Sequence, residues 1–302
     1  MNVTPVAALI IDRTLGEPPA RVHPVVWMGA YCAWTGRRMR SVASPRAQVV
    51  AGAMATAGGV VAAFAAAAAI HRGLRRLPRG VAGAAEAAVL STLLSARMLE
   101  DEVGAVEDAL AGGDVAAARR AVGRLVSRDV TALDAVQVRE AALESLAENT
   151  SDSIVAPLWW YAVAGLPGAA AYRLVNTADA MWGYRDAVWE WRGKAAAHVD
   201  DVANWWPARV TALLLAPRSL ASRRDATRVA GTAAVTPSPN AGWPMGAMAL
   251  LLDVRLDKTG VYTLHPGGRP ARPSDIGRAI SATRRATYTA AAGAVLAAVS
   301  HS

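Results

Sequence analysis

The chain has 302 residues, of which 53% are hydrophobic and only 19% are charged. Soluble domains carry about 25% charged residues, so this chain is charge-poor, and its high apolar content excludes intrinsic disorder. The 32 Lys and Arg residues exceed the 24 Asp and Glu residues, and an apolar chain with a formal charge of +8 is more typical of a membrane protein than of a nucleic-acid binder.

Four windows of the chain contain no charged residue: 47–70, 153–172, 229–252 and 286–300. A helix needs about 20 apolar residues to cross the hydrocarbon core of a bilayer, and three of the windows are that long. The first is rich in alanine, which could equally build a buried helix. A weaker candidate, interrupted by Glu86, follows it after a basic turn and would complete a helical hairpin. We therefore expect a mainly α, polytopic integral membrane protein.

Two of these windows contain helix breakers. The window 153–172 contains Pro157 and Pro167, and the window 229–252 contains three prolines and Gly242. Irregular backbone at membrane depth is tolerated only where protein or water satisfies its polar groups. Arginines flank the second window on both sides, whereas a simple span has its basic excess on one side. The sequence thus predicts broken segments, with 229–252 re-entrant or deeply buried.

Residues 97–152 carry 12 acidic and 6 basic side chains, whereas basic residues outnumber acidic residues in the chain as a whole. We expect this segment to be a polar helical insertion within a single polytopic membrane domain of residues 1–302. The pair Gly112-Gly113 predicts the end of one helix, and Asp114, which follows it, predicts the N-terminal cap of the next helix. Residues 100–124 are interpreted as solvated amphipathic helices.

Three glutamates share one face of the next predicted helix. Glu140, Glu144 and Glu148 follow one another at intervals of four residues. Like charges at this spacing destabilise an isolated helix, and no lysine is close in sequence. Either this face is wet or a cation lies on it.

Two later segments mix carboxylates with amides and cations. On a helix, Asp200 and Asn204 stack at an interval of four residues with Asp201 beside them, and such hard oxygen ligands suit Mg²⁺ held together with phosphate. Because Cys32 is the only cysteine, any metal must be held by oxygen or imidazole. The alternative interpretation of this pattern is helix capping and surface charge. Arg209 lies just before an apolar run, where polar side chains are costly and tend to be functional.

These features belong to a series of motifs that runs in order through nearly the whole chain. The motifs are Leu9 to Pro19, His23-Pro24, Met28-Gly29, Arg128-Asp129, Glu144 to Asp152, Ala156-Pro157, Tyr172-Arg173, Val175 to Met181, Gly183 to Arg185, Asp200-Asp201, Asn204 to Arg209 and Ser238 to Pro244. In this series the chain resembles the adenosylcobinamide-phosphate synthases. These are polytopic membrane enzymes of cobalamin biosynthesis that attach aminopropanol, or its O-phosphate, to adenosylcobyric acid.

The resemblance implies an amide-forming ligase that uses ATP and Mg²⁺, with cobalt present only as part of the corrinoid substrate. It implies a multi-pass protein of the inner (cytoplasmic) membrane whose active site faces the cytoplasm, together with the cytoplasmic helical insertion 97–152. The expected partners are the corrinoid, aminopropanol or its phosphate, membrane lipid and other membrane enzymes of cobalamin assembly, and no nucleic acid. No P-loop or ATP-grasp signature is present, so the ATP site rests on the resemblance alone.

Such a reaction needs carboxylates for the metal, cations for the phosphates and a base for the amine. The candidate catalytic residues are Glu144, Glu148, Asp179 and His198. The candidate metal ligands are Asp200, Asp201 and Glu148. The candidate substrate- or phosphate-binding residues are Arg128, Asn149, Asp152, Arg173, Asn176, Tyr184, Arg185, Asn204, Arg209, Ser238 and Asn240.

Two other functions fit parts of the sequence. A membrane prenyl- or phospho-transferase would use the Asp200-Asp201 motif to bind Mg-diphosphate, but it needs a second Asp-rich motif, and the segment from Asn176 to Asp179 is a poor one. A transporter would place a binding site between broken helices, and it predicts an internal repeat that the sequence lacks.

Overall fold

The structure is a computed structural model that describes residues 3–217 and 223–299. These residues form thirteen α-helices, a short 3-10 helix, one π-helical turn and a β-hairpin, so the prediction of a mainly helical fold is confirmed. The helices are α1 (Thr4–Leu15), α2 (Pro24–Met39), α3 (Pro45–Leu74), α4 (Arg79–Ser91), α5 (Ala96–Ala111), α6 (Val115–Val122), α7 (Ala135–Thr150), α8 (Ala156–Trp182), α9 (Lys194–Ala203), α10 (Trp205–Leu215), α11 (Arg223–Ala233), α12 (Gly242–Leu252) and α13 (Pro273–Val299). The 3-10 helix is Ala20–Val22, the π-turn is Ser151–Val155, and the strands are β1 (Leu256–Lys258) and β2 (Tyr262–Leu264).

Local signals set the helix ends in the polar segment. Helix α5 ends at the predicted glycine pair, and the Asp114 carboxylate accepts a hydrogen bond from the Ala117 amide at 2.8 Å, which caps α6. Helix α7 begins with a reciprocal capping box, in which Asp134 accepts from the Gln137 amide and the Gln137 side chain accepts from the Asp134 amide. The predicted stop and cap are therefore confirmed.

Contacts between Cα atoms group the chain into two compact units. Unit 1 comprises Met1–Ser95, Ala156–Asn204 and Ala291–Ser302, and unit 2 comprises Ala96–Val155 and Trp205–Ala290. The predicted insertion 97–152 falls within unit 2, which also contains residues from later in the chain. The single polytopic domain stays a prediction.

In unit 1, α3 packs along α8, and two glycines of α3 allow a close approach. A Cβ atom at Gly52 would collide with the backbone carbonyl of Arg192, and one at Gly59 would meet the side chains of Tyr31 and Leu174. The Tyr31 hydroxyl donates to the Ala55 carbonyl at 2.7 Å. Two glycines thus allow helix α3 to pack closely, and one hydrogen bond to its backbone holds it in place.

In unit 2, helix α7 lies at the centre and packs against α5, α6, α12 and β1. Eleven of its residues are buried, including Glu140 and Glu144. The hairpin pairs β1 with β2 in the antiparallel register Leu256↔Leu264. The sequence of residues 260–264 predicts a possible short strand, and β2 lies within it, whereas the partner strand β1 was not predicted.

The Pro-containing windows take two forms. The π-turn precedes α8, and α8 itself is broken at Ala164 and Gly165, where Gly165 has φ of 64°. Helix α12 has 11 residues, a length of about 16 Å, which is too short to cross a bilayer of about 30 Å. Eight of its residues are buried, so α12 matches the deeply buried alternative predicted for the segment 229–252. Five of the residues from 231 to 239 are exposed, so the first half of that segment does not match it.

Among the residues that the structure describes, three helical segments are long and apolar enough to cross a membrane, judged by length and composition: Pro45–Leu74, Arg79–Ala111 and Ala135–Trp182. Helix α3 exposes Met54 and Val61 by 70% and 67% of their surface. Glu86, which interrupts the second segment, accepts a hydrogen bond from Tyr161 at 2.9 Å and lies 3.3 Å from His71. These features support a membrane protein in which the Glu86 carboxylate lies against other polar side chains.

We expect the protein to sediment with membranes and to require detergent for extraction. The apolar surface of α3 would otherwise be exposed to water at a cost of about 25 cal/mol per Å². Membranes washed with alkaline carbonate should retain the protein, as measured by immunoblotting, and a non-ionic detergent should release it. Recovery in the high-speed supernatant after lysis without detergent would contradict this prediction.

The prediction that residues 100–124 form solvated helices is wrong for two of its glutamates. Glu100 is only 6% exposed and pairs with Arg284 at 2.9 Å, and Glu107 accepts two hydrogen bonds from Arg139, at 2.7 and 3.0 Å. The arginine partners lie far along the chain, so the spacing of the glutamates did not reveal them. Asp108 is exposed as expected.

Candidate active site

Unit 1 contains a carboxylate–amide cluster, which we define as Asn176, Asp179, Asp200, Asp201 and Asn204. Helix α8 carries the first two residues, and helix α9 and its C-terminal cap carry the others. The Asp200 carboxylate accepts hydrogen bonds from the Asn204 amide at 2.9 Å and from the Asn176 amide at 3.4 Å. The predicted stacking of Asp200 on Asn204 is therefore confirmed.

Two buried residues of α8, Tyr172 and Arg173, orient the amide side chains of this cluster. Asn204 is 1% exposed, and its carbonyl oxygen accepts a hydrogen bond from the buried Tyr172 hydroxyl at 2.8 Å. Arg173 is also buried and donates to the Asn176 carbonyl oxygen at 3.3 Å. Both amide side chains are thereby oriented so that their NH₂ groups point at Asp200.

Burial and mutual repulsion act on the carboxylates of α9. Burial, together with the negative charge of Asp179, raises the pKa of Asp200 above its ordinary value. Burial also raises the pKa of Asp201, while His198 and Arg185 oppose this shift. A site that disfavours its own negative charge in this way gains from a bound cation.

The donor chemistry of the cluster fits Mg²⁺, which prefers carboxylate and amide oxygens. In the part of the chain that the structure describes, no three His, Cys, Asp or Glu side chains converge in a metal-binding group. Protein sites for Mg²⁺ commonly use one or two carboxylates and leave the other positions to phosphate and water. Asp200 and Asp201 could supply such a pair. The third predicted ligand, Glu148, belongs to unit 2.

Three further predicted residues of unit 1 are exposed. Tyr184 and Arg185 follow the end of α8, and His198 lies on α9. Arg185 and His198 both lie within electrostatic reach of Asp201. They could contact the phosphates of a ligand bound at the carboxylate–amide cluster.

Unit 2 contains a polar cavity of about 110 Å³, whose charged and phenolic lining is Arg128, Glu144, Glu148, Lys258 and Tyr262. Glu144 is 5% exposed, and its Oε2 atom lies 3.1 Å from Nη2 of Arg128. The acidic face of α7 is therefore not a solvated surface, because the cations Arg128 and Lys258 lie against it. Neither Lys258 nor Tyr262 was predicted as a site residue. Tyr262 lies in the possible strand at residues 260–264, and Lys258 lies outside it.

Tyr262 is held as a neutral phenol in this cavity. Burial raises its pKa, and the negative charges of Glu144 and Glu148 raise it further. A neutral phenol both donates and accepts hydrogen bonds. The cavity thus offers two carboxylates, two cations and one hydroxyl to a small ligand.

The other predicted residues of α7 and of the π-turn lie beside this cavity in sequence. The Asn149 amide donates to the carbonyl and hydroxyl oxygens of Ser145 at 3.0 and 3.1 Å, and the Ser145 hydroxyl donates to the Leu125 carbonyl at 3.0 Å. Asp152 is half-buried in the π-turn. Single π-helical turns are frequent at functional sites, where they re-aim side chains.

Arg209, Ser238 and Asn240 form a second group in unit 2. The Arg209 guanidinium donates to the Asn240 carbonyl oxygen at 2.9 Å and lies over the Trp205 and Trp243 rings, 4.2 and 4.8 Å from their centroids. The Ser238 hydroxyl accepts from the amide of Asn240 at 3.2 Å. Arg209 therefore holds the turn before α12, and burial lowers its pKa.

We expect Arg128→Met to lower the free energy of unfolding by about 3 kcal/mol, because it leaves the buried Glu144 carboxylate without its arginine. Arg124→Met is the matched control, since Arg124 pairs with Glu102 at the surface. Denaturant unfolding in detergent, followed by tryptophan fluorescence, would measure both. Equal stability of the two variants would show that the Arg128–Glu144 pair contributes nothing to folding.

Comparisons with known proteins agree over most of the chain. Residues 5–288 match the family described as CobD/Cbib protein. The chain is 40% identical over 303 residues to the "Cobalamin biosynthesis protein CobD" of Rhodobacter capsulatus, covering 93% of this chain and 92% of that protein. It is 37% identical over 302 residues to the "Probable cobalamin biosynthesis protein CobD" of Methanothermobacter thermautotrophicus, covering 96% of each. No solved structure matches the chain.

Proposed function

Because the chain belongs to the CobD/Cbib family of cobalamin biosynthesis proteins, we propose that it is an ATP-dependent ligase that joins an amine to adenosylcobyric acid. The amine is (R)-1-amino-2-propanol or its O-phosphate, and the product is adenosylcobinamide or its phosphate. The observation that carries this proposal is the polar cavity of unit 2, where carboxylates and cations lie side by side.

The cavity suits the amine substrate in size and charge. Pockets for drug-sized ligands measure about 300 to 1,000 Å³. At about 110 Å³, this cavity suits a much smaller molecule than a corrinoid. An amino alcohol phosphate carries an ammonium group, which Glu144 and Glu148 complement, and a phosphate, which Arg128 and Lys258 complement. The free amino alcohol lacks the phosphate and would leave the two cations without a ligand.

Glu144 is the best-placed base in this cavity. Its Oε1 atom is buried and has no hydrogen-bond partner in the described part of the chain. A buried carboxylate oxygen of this kind can accept a proton from the ammonium group, which gives the neutral amine that the reaction needs. Glu148, on the same face of α7, would share in holding the ammonium group.

The carboxylate needs activation before an amide can form. Transfer of the terminal phosphoryl group of ATP to a propionate oxygen gives an acyl phosphate and ADP. The amine nitrogen then forms the bond to the acyl carbon, the bond from that carbon to the phosphate oxygen breaks, and the second amine proton passes to Glu148 or to the departing phosphate, because Glu144 already holds the first. Bound Mg²⁺ would supply charge neutralisation to the phosphates.

The carboxylate–amide cluster of unit 1 supports the ATP half of the proposal. Asp200 and Asp201 would hold the Mg²⁺, and Asp179 lies within electrostatic reach of Asp200. Arg173, Arg185 and His198 would neutralise phosphate oxygens or orient the ligands. ATP is a cytoplasmic substrate, so an active site facing the cytoplasm from the inner membrane is part of this proposal.

Coupled turnover tests the proposed function directly. Protein purified in detergent should hydrolyse Mg·ATP only when adenosylcobyric acid and the amine are both present, and mass spectrometry should show one amide formed for each ADP. Aminopropanol and its O-phosphate are compared as substrates, and ethanol in place of the amine is the control. Amide formation without ATP, or ATP hydrolysis that ignores the corrinoid, would contradict the proposal.

A further inference from the structure

A groove of about 440 Å³ lies in unit 2 along helix α13, outside the residues discussed above. Its polar lining is Ser274, Arg278, Ser281 and Arg285, and its apolar edge includes Leu252 at the end of α12. We call this feature the α13 groove.

The polar residues of the α13 groove form a regular stripe. Ser274 and Ser281 are seven residues apart, and so are Arg278 and Arg285, which places all four on one helix face. Seven residues of helix rise by about 10 Å. The groove thus offers two guanidinium groups spaced along two helical turns, each with a serine hydroxyl nearby on the same face.

The charge of the α13 groove is positive and only partly compensated. No carboxylate is among the described residues that line it. Arg278 lies 3.1 Å from the buried Asp275 carboxylate, but that carboxylate already accepts two hydrogen bonds from Arg269, at 2.7 and 2.8 Å. Arg278 therefore shares one carboxylate with Arg269, so the two guanidinium groups together have one positive charge that Asp275 does not neutralise.

The adjacent arginines of α13 differ in their partners. Arg284 pairs with the buried Glu100 at 2.9 Å, so its charge is used within the fold. For Arg285, the described residues contain no carboxylate within ion-pair distance. Arginine is suited to phosphate because its planar fork matches the phosphate oxygens.

We propose that the α13 groove binds a phosphate-bearing ligand, with Arg278 and Arg285 as its two anion contacts. The apolar edge at Leu252 would accept a non-polar part of the same ligand. Two sources supply this chemistry, a soluble polyphosphate such as a nucleotide and the phosphate of an anionic lipid headgroup. The spacing of the two guanidinium groups suits either an extended polyphosphate or two separate phosphates.

The first arm of the test uses a soluble probe. The full-length protein, purified in a non-ionic detergent, is titrated with sodium triphosphate at low salt by calorimetry. Arg278→Gln and Arg285→Gln should each weaken binding about tenfold, because each removes one charge-assisted contact. Arg120→Gln is the matched control, since it removes an equally exposed arginine of unit 2 that lies on α6 and outside the groove.

The second arm uses a lipid probe. The same four proteins are equilibrated with mixed micelles that contain either phosphatidylglycerol or phosphatidylcholine, and retained lipid is counted by mass spectrometry. A lipid source predicts that phosphatidylglycerol is retained by the parent protein and by Arg120→Gln and is lost from the two groove variants. Circular dichroism of each variant checks that it is folded.

Arginine-dependent binding in either arm supports the proposal and identifies the source of the phosphate. The proposal is overturned if the groove variants match the parent protein in both arms, or if Arg120→Gln weakens binding as much as they do. Neither arm measures amide formation. The α13 groove can therefore fail as a site while the proposed ligase activity stands, and the reverse also holds.

Discussion

Asp201→Asn is expected to reduce amide formation by at least about a hundredfold while the protein stays folded and membrane-bound. Asp201 is half-buried and lies within electrostatic reach of Arg185 and His198. An amide of the same shape keeps the packing but removes the negative charge that would hold a cation against the phosphates. The rate of ADP formation at saturating Mg·ATP, corrinoid and amine measures the effect.

Asp108→Asn is the matched control for this experiment, because Asp108 is exposed on α5. It makes the same chemical change on a solvated face and should leave the rate unchanged. Thermal unfolding of both variants should agree with that of the parent protein. If Asp201→Asn kept the rate within a few-fold of the parent rate, Asp201 would have a structural role, and the metal would have to be held elsewhere.

Glu144→Gln is expected to lower the turnover rate by about a hundredfold to ten-thousandfold, the usual range for loss of a general base. The loss should shrink as the pH is raised toward about 10, where a primary amine is neutral without help from a base. The parent and variant are compared at each pH under saturating ATP. Other groups titrate in both proteins, so the ratio of the two rates reports the contribution of the base alone.

A structural role for Glu144 predicts a different result. Loss of the Arg128 partner alone would lower the rate by the same factor at every pH, because no proton transfer would be involved. A ratio of rates that does not change with pH would therefore contradict assignment of Glu144 as the base. Glu148→Gln, on the same face of α7, shows whether the two carboxylates act together.

Local structure was predictable where a short run of residues determines it. The glycine pair and Asp114 define the end of α5 and the start of α6, because one supplies a flexible stop and the other a side-chain acceptor. The stacking of Asp200 on Asn204 follows in the same way from helical geometry. The helix breakers and flanking cations of residues 229–252 predicted the burial of α12, but they did not predict that residues before this helix are exposed.

Pairing between distant residues was not predictable. The spacing of Glu140, Glu144 and Glu148 shows that they share a face, but it says nothing about what covers that face. Arg128 reaches Glu144 from the loop before α7, and Lys258 comes from a hairpin more than a hundred residues later. A charge run on a helix is most often solvated. Only the tertiary structure shows that this one is buried.

The inability to predict pairing between distant residues also explains why the exposure of Glu107 on α5 was predicted wrongly. Glu107 and Asp108 are neighbours in a polar run, yet one is bound by Arg139 and the other is exposed. Successive helical residues point about 100° apart, so the two belong to different faces. The sequence pattern could not show which face lies against α7.

The close packing of α3 determines how the helices of unit 1 associate within lipid. In water, apolar helices associate because contact removes their apolar surface from water. Lipid chains are as apolar as the helices, so this hydrophobic driving force is absent within a membrane. Association there depends on close van der Waals contact, which small residues permit. Gly52 and Gly59 provide that contact, and each lies where a methyl group would meet its neighbour. Adding one carbon atom at Gly52 would therefore separate α3 from the loop at Arg192, although it would make the helix more apolar.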